Sequence, residues 1–358
     1  MAFVAPDGSE FDSRDGLREY LLESGFLEFR DKQGSLLVKS VGDIDGEGFA
    51  LSKLSGCEIV LLDHIEQITI ENLANCKVFV GPCKGSCYVR ECKDCLFTVM
   101  CNQLRIIKCE ECIFFTHVKT DPVIEQSKRL HFGAYNGPKT SEISALAMLS
   151  GFDLDQQSKW RSVFDLTEEK SSPRQRDWVL VEEHQALFDV RTAAVSPLGH
   201  CILRDLFWRL DDDHDGGLSY LELNAFQRMI GSNETVESAE ELREKFQEVG
   251  LPLDVNGNLP FDSFLELYQL QGEDGLLQDL DKLGLDPTSA PCFDIYAVIQ
   301  RSKLMLPISS SCPPPTYHHA TRQPFDQESS SCEEYDEEDF EVEQGDFTAR
   351  TSTGAETE

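Results

Sequence analysis

The chain has 358 residues, 40% of them apolar, and sets 65 acidic side chains against 32 basic ones for a net charge of −33. That length argues for two or three cores. So acidic a chain is repelled by nucleic acid and anionic membrane surfaces but suits cations and basic protein patches. No run approaches the ~18 consecutive apolar residues of a membrane span. Neither a signal peptide after Met1, nor a myristoylation glycine at Ala2, nor a terminal prenylation box is read. A cytoplasmic chain with its thirteen cysteines reduced is therefore expected.

Residues 1–37 read as a small accessory element. Asp7-Gly8 marks a turn, and Ser13–Leu27 a short helix with Leu17, Tyr20, Leu21 and Leu22 as its apolar positions. Residues 54–116 carry an internal repeat. The steps Gly56-Cys57, Asn75-Cys76, Asp94-Cys95 and Glu111-Cys112 lie 19, 19 and 17 residues apart. Each opens an alternating run: Cys57, Ile59, Leu61; Cys76, Val78, Val80; Cys95, Phe97, Val99; Cys112, Phe114, Thr116. A second series, Ile68 and Ile70, Cys87 and Val89, Leu104 and Ile106, falls between them at matching steps. Period two means strands with one buried face. Short strands recurring at this spacing predict a parallel β-helix, with small polarizable cysteines stacked inside. If Leu104 and Ile106 point inward, Gln103, Arg105 and Ile107 point out, with Arg105 beside Tyr88 and Thr69 of neighbouring rungs. Cys92-x-x-Cys95 and Cys109-x-x-Cys112 would by themselves suggest a four-cysteine zinc site, but the repeat accounts for more of the cysteines. The Gly81–Ser86 run lacks the ending of a phosphate loop and reads as a turn.

Residues 117–194 read as loops with a helix near Ser141–Ser150 and a strand at Trp178–Glu182, completing a β-helix domain over 38–194. Residues 195–302 read helical. Within them, 211–222 has the residue pattern of a twelve-residue EF-hand calcium loop. Asp211, Asp213 and Asp215 supply carboxylates, Gly216 permits the sharp turn, Gly217 offers its backbone carbonyl, Ser219 sits at the water-bridged position, and Glu222 binds with both oxygens. Leu218 is the apolar residue that pairs with a sister loop. Leu203, Leu206, Phe207 and Leu210 before the loop, and Leu223, Phe226, Met229 and Ile230 after it, give amphipathic helices. Aligning Leu259 with Leu218 places a degenerate loop at 252–263, whose Pro252 and Ser263 replace the first and last ligands. It is expected to hold no metal. Residues 303–358, with a proline run, serines and the acidic cluster Glu333 to Glu343, read as a disordered tail.

Two resemblances add to this reading. The run Phe79–Ser86, then Arg90-Glu91-Cys92, Cys101-Asn102-Gln103-Leu104-Arg105 and Pro122–Glu125, resembles the cofactor C-like (C-CAP) domain family, of the tubulin-folding cofactor C and X-linked retinitis pigmentosa type. The resemblance implies that Arg105 is an arginine finger with Gln103 beside it, entering a GTPase's nucleotide pocket, and that Glu125 is a second partner contact. Asn102 and Leu104 depart from the family's usual Gln and Phe, and neither removes the guanidinium. Separately, Glu222–Gln227, Phe261–Leu270 and Leu280–Asp286 are similar to the EF-hand units of the Miro mitochondrial Rho GTPases. That likeness implies one calcium hand, one hidden hand, and a helix near Ala297–Leu304 lying in the groove as a ligand mimic.

The expected architecture is thus multidomain β plus α: a right-handed parallel β-helix, a paired EF-hand unit at 195–302 and an acidic tail. The expected function is activation or binding of a small ARF-like GTPase or of tubulin through Arg105, modulated by Ca²⁺. The chain itself shows no nucleophile–base motif of an enzyme. Nucleic acid and stable membrane insertion are not expected, and the protein is placed in the cytoplasm, at the cytoskeleton or a cilium. A non-catalytic, calcium-responsive scaffold for the same partners is the alternative.

Overall fold

The spacing of small polar residues before the cysteines has a backbone meaning. In six successive rungs two residues three apart adopt the left-handed conformation: Asp31 and Gly34, Lys53 and Gly56, Asn72 and Asn75, Glu91 and Asp94, Lys108 and Glu111, Gln126 and Arg129. A left-handed side-chain-bearing residue costs roughly 1–2 kcal/mol, offset here because the corner N–H groups bond the next rung. Asn75 N donates to Lys93 O at 3.1 Å, Asp94 N to Glu110 O at 3.1 Å, and Glu111 N to Lys128 O at 3.2 Å.

The computed structural model describes residues 3–5, 7–167, 176–181, 186–189, 192–232, 235–288 and 293–305. Strands β1 (Phe3–Val4) and β2 (Glu10–Phe11) pair antiparallel ahead of helix α1 (Arg14–Glu23), which Ser13 caps. Then come β3 (Glu28–Gln33), β4 (Leu36–Lys39), β5 (Phe49–Ser55), β6 (Glu58–Leu61), β7 (Ile68–Ala74), β8 (Lys77–Arg90), β9 (Leu96–Ile107), β10 (Ile113–Val118), β11 (Val123–Glu125), β12 (Leu130–Ala134), α2 (Ser141–Leu149), β13 (Phe164–Asp165) and β14 (Trp178–Val181).

These strands form a parallel β-solenoid with two long stacks. The first runs β3, β5, β7, the end of β8, the end of β9, β11 and β13. The second runs β4, β6, the start of β8, the start of β9, β10, β12 and β14. The first rung draws on residues 28–39, so pairing crosses the boundary expected after residue 37. Inside, equivalent positions meet rung upon rung: Leu51, Ile70, Val89, Ile106 and Ile124 on one wall, and Ile59, Val78, Phe97, Phe114 and Phe132 on the other, all buried. Phe97, Phe114 and Phe132 stack with centroids 4.9 and 5.4 Å apart. The cysteines expected inside are buried as thiols. Cys57, Cys76, Cys95 and Cys112 each donate to the backbone carbonyl two residues earlier. They pack as small side chains within the solenoid core.

The two stacks differ on their outer sides. Strict alternation predicts one buried face, but the second stack is buried on both. Val60, Leu62 and Phe79 pack against Ile143 of α2, against Phe293, and against Ile295 and Val298 at the start of α7 (Ile295–Met305). Leu96, Ile113 and Phe115 share a core with helix α3 (Pro197–Leu210). Helix α7 thus lies on the solenoid, where its apolar side buries against β4 and β6, and not in a helical groove as the ligand-mimic expectation held. Beyond α3 follow β15 (Gly217–Leu218), α4 (Tyr220–Met229), α5 (Ala239–Val249), β16 (Leu259–Pro260) and α6 (Phe261–Leu283), which breaks at Gly272. β15 and β16 pair antiparallel with Leu218 opposite Leu259, the alignment read from the sequence. All described elements fall in one compact unit, Met1–Ile308. Of the expected acidic tail, 306–358 lie outside the described residues, as does Glu182 at the end of the expected late strand.

Candidate functional site

The outer side of the first stack bears the arginine. Register pairs Thr69 with Tyr88, Tyr88 with Arg105, Arg105 with Val123, and Val123 with Phe164. Leu104 and Ile106 are buried on either side, so the alternation of an extended strand turns Arg105 outward. It is exposed, and among the described residues its guanidinium has neither a hydrogen bond nor an ion pair. The nearby Asp121 carboxylate is instead 3.8 Å from Lys159. Gln103, half-buried, accepts at Oε1 from Ser86 Oγ at 3.2 Å, which steadies its amide beside the arginine. Glu125 stands on the next rung opposite Ile107, on the same outward face and half-buried. A shallow cleft of about 320 Å³ is lined by Gln103, Arg105, Thr120, Asp121, Val123 and Phe164. Phe164 is 57% exposed and Leu166 54%, so a charged tip rises from an apolar shelf. Phe164 lies in a stretch read as loop, where no periodicity marked it. Only its pairing to β11 brings it here.

The second arrangement is the loop between α3 and α4. Asp211 caps α3, and the Asp211, Asp213 and Asp215 carboxylates each place an oxygen within 4.8 Å of the other two. Asp211 is fully buried. Its oxygens accept from Asp215 N at 3.1 Å, Gly216 N at 3.0 Å and the Asn75 side-chain amide at 3.2 Å. Burial pushes this carboxyl up to about 6, against the pull of those donors. Asp215 is also raised, by burial first. Gly216 takes φ +92°, the turn that a side chain would strain. Gly217 N donates to Asp215 Oδ1 at 2.8 Å. Glu222 closes the loop: Oε1 accepts from Asp212 N at 2.8 Å, and Oε2 from both Ser219 N and Ser219 Oγ at 2.8 Å. The groups converging here are carboxylate oxygens, the ligand chemistry of a hard divalent cation.

The sister loop has the same turn, with Gly257 at φ +86°. In place of a first and last ligand, Ser263 Oγ donates to Pro252 O at 2.5 Å. Asn258 reaches across and donates to Asp215 Oδ2 at 2.9 Å. Sequence reasoning missed Asn258, Asn75 and Trp208 as neighbours of the loop. Asn75 was visible only as a repeat marker before Cys76.

Among the described residues no helix is long and apolar enough to cross a membrane. Comparison with known proteins places the solenoid. Residues 46–166 match the family described as Tubulin binding cofactor C. The chain is 34% identical over 107 residues to Tubulin-folding cofactor C of Arabidopsis thaliana, covering 30% of this chain and 31% of that protein. It is 25% identical over 160 residues to Tubulin-specific chaperone C of Homo sapiens, covering 44% and 45%. It is also 32% identical over 150 residues to Protein XRP2 of Danio rerio, covering 41% and 38%. The chain therefore spans less than half the length of these relatives. Over residues 46–166 the solenoid, which carries Arg105 on an exposed outer side, is thus similar to the Tubulin binding cofactor C family.

Proposed function

We propose that this protein binds a small ARF-like GTPase or tubulin through the outer face of the first stack and accelerates GTP hydrolysis by presenting Arg105 to the partner's nucleotide. The observation that carries the reading is an exposed guanidinium, unpaired among the described residues, on a strand clamped by rungs on both sides. Phosphoryl transfer spreads negative charge over the moving group, and a preorganised cation lowers the barrier because no reorganisation is needed when that charge develops. In this reading Gln103 flanks the arginine, Glu125 takes a basic group of the partner, and Phe164 with Leu166 gives the apolar contact. The names of the relatives point to tubulin, and the C-CAP resemblance adds the small GTPase. A site at the cytoskeleton or a cilium follows from such partners.

We further propose an EF-hand pair at 195–302 in which Asp211, Asp213, Asp215, the Gly217 carbonyl, Ser219 and Glu222 hold Ca²⁺. A bound ion would supply the positive charge that the buried Asp211 calls for and would draw Glu222 onto the loop. The 252–263 loop is the structural partner.

The test is GTP hydrolysis by candidate GTPases and by tubulin, with wild-type protein and Arg105→Ala, in the presence and absence of calcium. Acceleration that disappears in the variant while partner binding persists supports activation. Binding without acceleration by the wild type makes the protein a scaffold instead.

A further inference from the structure

The corner of the solenoid that opens each strand of the second stack has an occupant. Gly56, Asn75, Asp94, Glu111 and Arg129 hold equivalent left-handed places in successive rungs. Helix α3 docks along this column at steps of four residues, one face of a helix. His200 stacks on His131, beside Arg129, with centroids 4.2 Å apart. Arg204, only 3% exposed, donates to Asp94 Oδ1 at 3.0 Å and lies 3.4 Å over the Phe261 ring. Trp208 Nε1 donates to Asn75 Oδ1 at 2.5 Å. Where the helix ends, the column meets the cation loop: Asn75 Nδ2 donates to Asp211 Oδ2 at 3.2 Å and approaches His214 O at 3.5 Å. One rung below, a Cβ on Gly56 would come within 2.5 Å of that same His214 carbonyl.

Asn75 is therefore fully engaged. Its carbonyl takes the indole of α3 and its amide serves the loop. A carboxamide is a short neutral side chain with both functions. Asp in its place would lose the donors and set a further negative charge against Asp211. The Asp211 carboxylate is thus held from two sides, by Asp215 N and Gly216 N within the loop and by the Asn75 amide from the solenoid.

We propose that Asn75 is a positioning residue for the 211–222 cation loop, and that cation binding and docking of α3 on the solenoid corner form one coupled equilibrium. This rests on the calcium reading of that loop. Partners that orient a ligand without touching the ion are commonly worth 10–100-fold in metal affinity. Coupling between two binding events is reciprocal, so the ion in turn tightens the docking of α3.

The test titrates calcium into the full chain by calorimetry, follows indole emission, and records thermal unfolding with and without calcium. It compares wild type, Asn75→Gly, which accepts the left-handed backbone, and Asn75→Asp, which keeps the acceptor for Trp208 but lacks the donors. The expected result is calcium affinity about 10–100-fold weaker in both variants, with a smaller calcium-induced rise in unfolding temperature. The calcium-induced change in Trp208 emission is lost in Asn75→Gly. A contact that only stabilised the fold would lower the melting temperature and leave the calcium-induced rise unchanged. If the wild type binds calcium and both variants bind it equally well, the coupling is wrong and the calcium reading stands. If the wild type binds none, both fall.

Discussion

The solenoid and the helical unit restrain their candidate groups in opposite ways. Among the described residues Arg105 has no side-chain partner, and its rigidity comes from the strand beneath, fixed by rungs on either side. Asp211 sits at the C-terminal cap of α3, where its carboxylate is held by three N–H donors, one of them from the solenoid. On the function proposed above, a group that enters another protein's site would have to remain unpaired, so that only its scaffold could order it. A group awaiting an ion of opposite charge would be ordered by hydrogen bonds until that ion arrived. The contrast continues in the cores. The solenoid stacks like on like, as in Phe97, Phe114 and Phe132. The helical unit interlocks different rings edge-on, with Phe207, Phe261, Phe264 and Tyr268 in T-shaped contacts.

Four measurements sharpen or break this contrast. The largest effect belongs to the unpaired group: Arg105→Ala is expected to lower stimulated GTP hydrolysis by about 10³–10⁵-fold while leaving the unfolding midpoint of the protein unchanged. A marked loss of stability would mean that the arginine serves the fold.

Next is Phe114→Ala in the middle of the solenoid stack. It should cost about 3–5 kcal/mol in denaturant unfolding, because rungs pinned above and below cannot collapse into the cavity. A loss under about 1 kcal/mol would show a softer interior than the stacking implies.

The seam between the two regions should yield to acid. Burial, followed by the Arg204 charge, pushes His131 down to about 4. Burial, His131 and Arg204 push His200 well below its usual range. Unfolded imidazoles take up protons near 6.5 while the folded ones stay neutral. Stability therefore falls as pH drops from there toward 4, by on the order of a few kcal/mol. Urea midpoints measured across that range should decline in wild type and decline less in His131→Phe, which keeps a ring in the stack and leaves His200 as the remaining buried imidazole of the pair. An equal decline in both would assign the acid sensitivity elsewhere.

The smallest effect is expected in the sister loop. Ser263→Ala removes the bond to the Pro252 carbonyl and should cost about 1 kcal/mol, with no change in calcium stoichiometry. A gain or loss of bound calcium would contradict the division of labour between the two loops.

Much of the solenoid was readable because its code is local. Alternation puts Leu104 and Ile106 inside and Arg105 outside whatever else the chain does, and the steps of 17 and 19 residues set Tyr88 and Thr69 on the neighbouring rungs. The turn glycines and spaced carboxylates of 211–222 are equally local. Phe164 was not readable, since its place beside Arg105 depends on a strand pairing some forty residues beyond β11. Nor was the fate of α7, whose apolar face suits a groove and a sheet alike.

By itself, then, the sequence determined the rungs, the direction of each side chain on them and the spacing of the loop carboxylates, because neighbours a few residues apart impose those through backbone geometry. Only the tertiary structure decided which side of the solenoid is covered and which left bare, and that Asn75 meets Asp211. Those outcomes depend on surfaces distant in the chain finding the partner that buries the most apolar area and leaves the fewest polar groups unmatched.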